Sequence, residues 1–344
     1  MTKARELADL IANVNKGSSL AAKNFIINGA MNISQRGTST TGVGSADGLY
    51  PACDRWRITV SGTTAGRATV SQVTDVHDGF TNALKLECTT ADTSIDAAEL
   101  FGLNMRFEGQ NLQSISKGSS DAKPLTVSFY VKGNASATYA CEIADRDNSR
   151  HCSKPFSVTT SWNRIELNFP ADTTGAFDND NAASMDLNFF LHAGTNFTSG
   201  TQNTSAFAST TSANRALATT SFFDSTDRTL FITGVQLEIG EKATEFEHEP
   251  IGTTLQKCQR YYWQPPKAGN NSAFTSTSND NYRRVFIWFP VKMRTSSVTA
   301  TITWNTGSSA GGEIGADYSY QYINPAGDTT SSAWMTAHKF DAEL

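Results

Sequence analysis

Nowhere in its 344 residues does the chain reach the ~18 consecutive apolar residues needed to cross a bilayer, so membrane insertion is not expected. The N-terminus, MTKARELADLIANVNKG, is charged and lacks the apolar stretch of roughly 7–15 residues that marks a secretory signal. Basic clusters are missing as well. The longest Lys/Arg run is the Arg283-Arg284 pair and the net charge is −5, so nothing offsets phosphates and nucleic acid is not an expected partner. Charged residues make up only 18%, whereas helical enzymes of this size carry more Leu, Glu and Lys. The five cysteines (Cys53, Cys88, Cys141, Cys152 and Cys258) are odd in number, widely spaced and without a C-x-x-C. That excludes a zinc ribbon and argues against a disulfide framework. Cys88, in phase with Leu84 and Leu86, reads as a buried thiol made in a reducing compartment.

Local catalytic signatures are absent too. There is no G-x-S-x-G and no H-E-x-x-H, and His77, His151, His192 and His338 stand alone in sequence. Distant residues can still assemble a triad, so the missing motif lowers the odds of an enzyme without closing them. The densest ionisable stretch is TGVQLEIGEKATEFEHEP, with Glu238, Glu241, Glu245, Glu247, His248 and Glu249. By strand parity Gln236 and Glu238 point to solvent, while Glu245, Glu247 and Glu249 share one face of an extended segment stiffened by Pro250. A solvated edge is the expected state, ahead of a cation site or catalysis. Asp145-Arg146-Asp147-Asn148 and Asp178-Asn179-Asp180-Asn181 place hard oxygens in loops. Turn chemistry accounts for them better than metal binding. No cofactor is expected, and a structural calcium is the one ion the sequence leaves open.

What is present is alternation. Trp56, Ile58 and Val60 alternate with Arg55, Arg57 and Thr59, and Leu125, Val127, Phe129 and Val131 with Thr126, Ser128 and Tyr130. Ile165, Leu167 and Phe169, then Met185, Leu187, Phe189 and Leu191, repeat the pattern, and Phe231, Val235, Leu237 and Ile239 close it. Short strands between Gly, Asn, Asp and Ser turns predict an all-β, jelly-roll sandwich over 24–250. Residues 194–221 read as a long polar loop tethered by Phe197 and Phe207. A smaller β domain is expected over 255–344. Its strand VFIWFPV (285–291) is apolar on both faces, which points to a subunit interface. Over residues 1–17, Ala4, Leu7, Ile11 and Val14 follow a/d spacing. This attachment or oligomerisation helix is too short to stand alone, so it packs on copies of itself, on a neighbouring protein or, equally well, back onto its own domain.

Aromatics are the most plausible functional groups. Tyr261, Tyr262 and Trp263, with Trp288, Trp304 and Trp334, offer π faces on which a sugar ring can stack. Of these, Tyr261, Tyr262, Trp263, Trp288 and Trp334 are the candidate contacts. Core or interface packing is the default for any single one.

A resemblance adds to this. MTKARELADLI, NFIINGAMNISQRG (24–37), DRWR (54–57), LTVSFYVKG (125–133), SWNRIELNFP (161–170), FITGVQLEIGEKATEFEHEP (231–250), CQRYYW (258–263) and the terminal DAEL occur in order over nearly the whole chain. Together they resemble bacteriophage tail-fibre, head-fibre and carbohydrate-binding virion proteins, common among marine and cyanobacterial phages. The resemblance implies a jelly roll similar to carbohydrate-binding modules and usually trimeric assembly. It also implies contact with other virion proteins through the N-terminus, assembly in the host cytoplasm, and a non-enzymatic role in adsorption to a host-surface glycan. It supplies no catalytic residues. Two alternatives fit the same residues: a purely architectural head or tail decoration, and, with less support, a polysaccharide depolymerase. The latter needs only two suitably spaced carboxylates, but the repeats usual in such enzymes are absent.

Overall fold

A computed structural model describes Lys3 and residues 24–62, 64–217, 219–264, 283–304, 308–324 and 335–344. Ala4, Leu7, Ile11 and Val14 of the expected helix, and Trp334, lie outside the described residues.

Two six-stranded antiparallel sheets form the expected sandwich. The first runs β1 (Ser39–Val43), β3 (Arg67–Val73), β4 (Ala83–Thr90), β12 (Thr229–Ile239), β6 (Leu125–Gly133) and β9 (Asn163–Phe169). The second runs β11 (Ala208–Ser209), β8 (Arg150–Val158), β7 (Ala137–Asp145), β10 (Ala183–Ala193), β5 (Leu100–Glu108) and β2 (Arg57–Ser61). Chain connections pass repeatedly from sheet to sheet, as in a jelly roll. The period-two apolar residues meet where alternation places them: Val127, Phe129 and Val131 of β6 share one core with Met185, Leu187, Phe189 and Leu191 of β10. Phe129 meets Phe189 edge to face at 5.1 Å, a geometry that suits the ring quadrupoles.

One strand departs from simple alternation. In β12 the pairing with β6 slips between Thr233 and Gln236, and Gly234 takes a φ of +60°. The bulge reverses parity. Leu230 and Ile232 before it, and Val235 and Leu237 after it, face the core, whereas Phe231 lies outside the core cluster. The sequence placed Phe231 with Val235, and the extra residue overturns that.

The polar stretch 194–221 carries α1 (Thr195–Thr198) and β11, and its two tethers hold. Phe197 packs with Leu100, Phe190 and Ala216, and Phe207 against the main core. A nine-residue helix, α2 (Ile251–Gln259), leaves Pro250 and buries Thr254 and Cys258 one turn apart. Its sequence, IGTTLQKCQ, carries too little apolar periodicity to have signalled it.

The C-terminal unit pairs β13 (Tyr262–Trp263), β18 (Met335–Asp341) and β15 (Thr299–Trp304) in one sheet. A second sheet holds β14 (Arg283–Trp288), β17 (Tyr318–Asn324) and β16 (Ser308–Ile314). Among the described residues its core contains Phe289, Met293, Phe340 and Ala342, flanked by Trp263, Ile287 and Ile302.

Charge and rings join this unit to the sandwich. Glu108, at the end of β5, accepts from Arg260 Nε at 2.9 Å and Nη2 at 2.7 Å, and from the Tyr261 hydroxyl at 2.5 Å. Burial opposes its charge, but Arg260 and Tyr261 prevail and hold the carboxyl below its usual range. Arg55 lies over the Tyr261 ring and Arg36 over Tyr262, each at 3.6 Å. Arg55 also pairs with Glu343.

Candidate functional site

The sequence-predicted aromatics separate into three fates. Tyr261 and Tyr262 are only 1% and 3% exposed, each with one ring face under an arginine of the sandwich. They belong to the junction and offer no face to a ligand, which corrects the expectation that they contact a glycan. Trp263 is half-buried between Phe289 and Phe340, both at 5.6 Å, and is likewise a packing residue. Trp288 is different. It is 68% exposed beside Phe286 at 49%, with ring centroids 4.9 Å apart. Tyr318, opposite Trp288 in β17, stacks on Phe286 at 5.1 Å. The strand expected to be buried on both faces therefore packs Ile287 inward and leaves Phe286 and Trp288 outward.

The acidic stretch is also not what its parity suggested. Glu238 does point away from the core, yet it is 3% exposed and Gln236 is fully buried. Residues 244–247 fold back over β12 as a second layer. Glu238 accepts from the Thr244 amide and hydroxyl, each at 2.8 Å, and from Gln236 Nε2 at 2.9 Å. Glu247 accepts from the Asn24 amide at 2.9 Å, and Glu249 pairs with Lys257. These carboxylates brace the segment leaving the sandwich, and no group of three metal-ligating side chains occurs among the described residues. Of the loop aspartates, Asp145 is committed to a cation as well. Asp145, at 2.5 Å, and Asp172, at 3.2 Å, close on the Lys117 ammonium, which also donates to the Thr174 and Gly175 carbonyls at 2.7 Å. A lysine thus supplies the positive charge beside Asp145 and Asp172.

Folding creates a ring surface that the sequence did not single out. On the outer face of the first sheet, β6 contributes Tyr130, the residues entering β9 contribute Trp162, and the bulged β12 contributes Phe231. His77 lies on Tyr130 at 4.0 Å, nearly parallel, and meets Trp162 edge-on at 6.4 Å. Phe80 continues the row, 5.5 Å from Tyr130, 5.1 Å from Phe246 and 5.3 Å from His248. Gly234 makes this possible: a Cβ there would sit 2.5 Å from Phe80 and 2.9 Å from Tyr130. All of these rings are half-buried except His248, which is exposed.

Charge is interleaved along the row. Lys132 lies 5.3 Å from the Trp162 ring and 4.7 Å from Phe231, while its ammonium is bound to Asp75 at 2.7 Å. Arg164 lies beside Tyr130 and reaches Glu166 at 3.3 Å. At the far end, Phe246 and His248 turn into a cleft of about 100 Å³ whose polar lining includes Asn24, Asn32, Glu249 and Lys257. Ring faces next to amide, ammonium, imidazole and carboxylate groups are the two ingredients of recognition of a polar, ring-shaped ligand.

No protein-family model matches the sequence, and no curated protein matches it. Solved structures are similar at low level. One is the enzymatically active domain of tailspike protein 4 from bacteriophage CBA120, at 12% identity over 63% of this chain and 22% of that one, with a TM-score of 0.33. A family 4 carbohydrate-binding module matches at 11% identity over 62% of this chain and 98% of its own, with a TM-score of 0.32. The family 11 module of a Clostridium thermocellum cellulosomal cellulase gives 14%, 60%, 99% and 0.29 in the same order. The matched part thus spans under a quarter of the tailspike chain. Scores and identities this low carry nothing about ligand or activity.

The signals for the ring row were weak one by one. Tyr130 was visible as an outward residue of its strand, and Trp162 sits in the SWNR block. Phe231 was masked by the bulge, and His77, Phe80 and Phe246 come from loops, where periodicity says nothing.

Proposed function

We propose that the protein is a virion fibre component of a bacteriophage that adheres to a host-surface glycan, binding without turnover at the ring row and polar cleft of the first sheet. The observation that carries this reading is the row itself: rings from separate chain segments, interleaved with charged and amide side chains, on the outer face of a sandwich. A pyranose offers an apolar C–H face to such rings and hydroxyls to their polar neighbours, each well-placed ring contributing on the order of 1 kcal/mol. The ordered sequence blocks that resemble phage fibre proteins supply the setting.

Assembly as a homotrimer belongs to the same proposal. Phe286, Trp288 and Tyr318 form a contiguous ring face in which Tyr318 donates to Glu313 at 2.7 Å. They stand on a three-stranded sheet. Another copy of the chain covers this face best, because contiguous apolar area favours protein contact over sugar hydroxyls. The a/d-spaced Ala4, Leu7, Ile11 and Val14 need partners for the same reason.

The test is a screen of the intact protein against arrayed host-surface polysaccharides. Saturable binding to one or a few of them is expected. Binding to none would remove the adhesive role and leave the architectural one.

A further inference from the structure

Away from the ring row, three residues far apart in sequence meet at one end of the sandwich. His192, near the end of β10, is completely buried, and Glu99, just before β5, is 2% exposed. His192 Nε2 lies 3.1 Å from a Glu99 carboxylate oxygen, and Nδ1 lies 2.8 Å from the Ser221 hydroxyl. The carboxylate is an acceptor, so the Nε2 hydrogen belongs to that contact. Nδ1 then has its lone pair facing Ser221, and the serine proton points at a base. Ser221 is the one half-buried member, placed at a turn, and its oxygen also accepts from the Phe223 amide at 3.1 Å. Its own amide donates to no group among the described residues. That N–H is therefore available to the ester carbonyl oxygen, on which negative charge develops when the serine attacks.

We infer that Ser221, His192 and Glu99 form an activated serine that hydrolyses small carboxylic esters. Ser221 is the nucleophile, His192 its base, and Glu99 a positioning residue acting through the imidazole. The serine oxygen bonds to the ester carbonyl carbon while its proton passes to His192 Nδ1. The ester C–O bond then breaks, and the alcohol leaves with that proton. Water, deprotonated by the same imidazole, releases the carboxylic acid and restores the serine. Ester and water go in, and acid and alcohol come out. A ring contact fixes the imidazole plane: Phe223 meets His192 edge-on at 5.3 Å. The charged groups beside the imidazole are Glu99 and Asp92.

The experiment uses the full chain, diisopropyl fluorophosphate and 4-nitrophenyl acetate. The phosphorylating reagent forms an Oγ–P bond and expels fluoride. A single adduct at Ser221 by intact mass and peptide mapping is expected, together with acetate-ester turnover. Both disappear in Ser221→Ala. In Glu99→Gln both slow by roughly 100-fold, and Glu99→Asp, which keeps the carboxylate, recovers part of the rate. A Glu99 that merely holds the fold would leave Glu99→Asp no faster than Glu99→Gln. Melting curves of the variants identify any loss of folding. If Glu99→Gln unfolds, wild type against Ser221→Ala still decides. No adduct at Ser221, labelling without ester turnover, or equal turnover in Ser221→Ala would each overturn the inference and leave the three residues as a brace for the turn.

Discussion

On the sandwich, rings alternate with lysine, arginine, histidine and asparagine, lie half-buried on the sheet, and run into a polar cleft. On the C-terminal unit, Phe286 and Trp288 adjoin one another and stand exposed, with the half-buried Tyr318 stacked beside them. The first surface is held by the fold around it: a bulge turns Phe231 outward, and a glycine without a side chain lets Phe80 and Tyr130 approach the backbone. The second rests on a three-stranded sheet. A surface prepared by its own scaffold suits a small ligand, and one left bare on a thin scaffold suits a partner of similar size. Exposure alone would have selected Trp288 as the sugar contact. The company a ring keeps is the better guide.

The largest effect is expected where the two regions meet. Glu108→Ala leaves Arg260 and Tyr261 without their carboxylate and costs about 3 kcal/mol. Denaturant unfolding should then split, with the C-terminal unit losing structure before the sandwich. A single transition with unchanged midpoint would mean that the regions do not depend on this contact. Next in size is Gly234→Ala. The substituted residue must hold a φ of +60° and place a Cβ 2.5 Å from Phe80. A loss of roughly 1–2 kcal/mol is expected, with weakened glycan binding and an intact junction.

The C-terminal surface gives the converse. Phe286→Ser with Trp288→Ser should abolish self-association in light scattering while changing single-chain stability by no more than ~0.5 kcal/mol, as for exposed positions. An unchanged mass would break the assignment of this face to assembly.

The smallest effect concerns Asp54 beside the junction. Burial pushes its carboxyl up to about 6 from 3.8, against hydrogen bonds from Gln35 and the charge of Arg36. A raised acid favours the folded state fully below its unfolded pKa, and that contribution fades as pH climbs through about 6. Raising pH from about 5 to 7.5 should therefore weaken wild type relative to Asp54→Asn by roughly 1 kcal/mol. Melting temperatures of both across that window check it.

Strand alternation made the sandwich legible, because Val127, Phe129 and Val131 and their counterparts in β10 need no information beyond period two. Position 231 was misread because one residue at Gly234 shifts parity, and a bulge leaves no periodic trace. Glu238 was read as solvated because parity gives direction only. The segment that returns to cover it, residues 244–247, is a tertiary event. Tyr261 and Tyr262 looked free because the arginines over them, Arg36 and Arg55, lie more than two hundred positions earlier. The burial of Tyr261, Tyr262 and Glu238 was hidden because the contacts that cover them are tertiary, and the fold was legible where the pattern is local.

The central claim is tested most directly by measuring binding of the full chain to an immobilised host-surface polysaccharide, with two double variants in parallel. Tyr130→Ala with Trp162→Ala should weaken binding at least about 10-fold, the loss of roughly 1.4 kcal/mol, at unchanged assembly. Phe286→Ser with Trp288→Ser should keep its affinity per chain. The opposite outcome, in which the first variant binds as wild type and the second does not, would contradict the account and move the glycan to the C-terminal face.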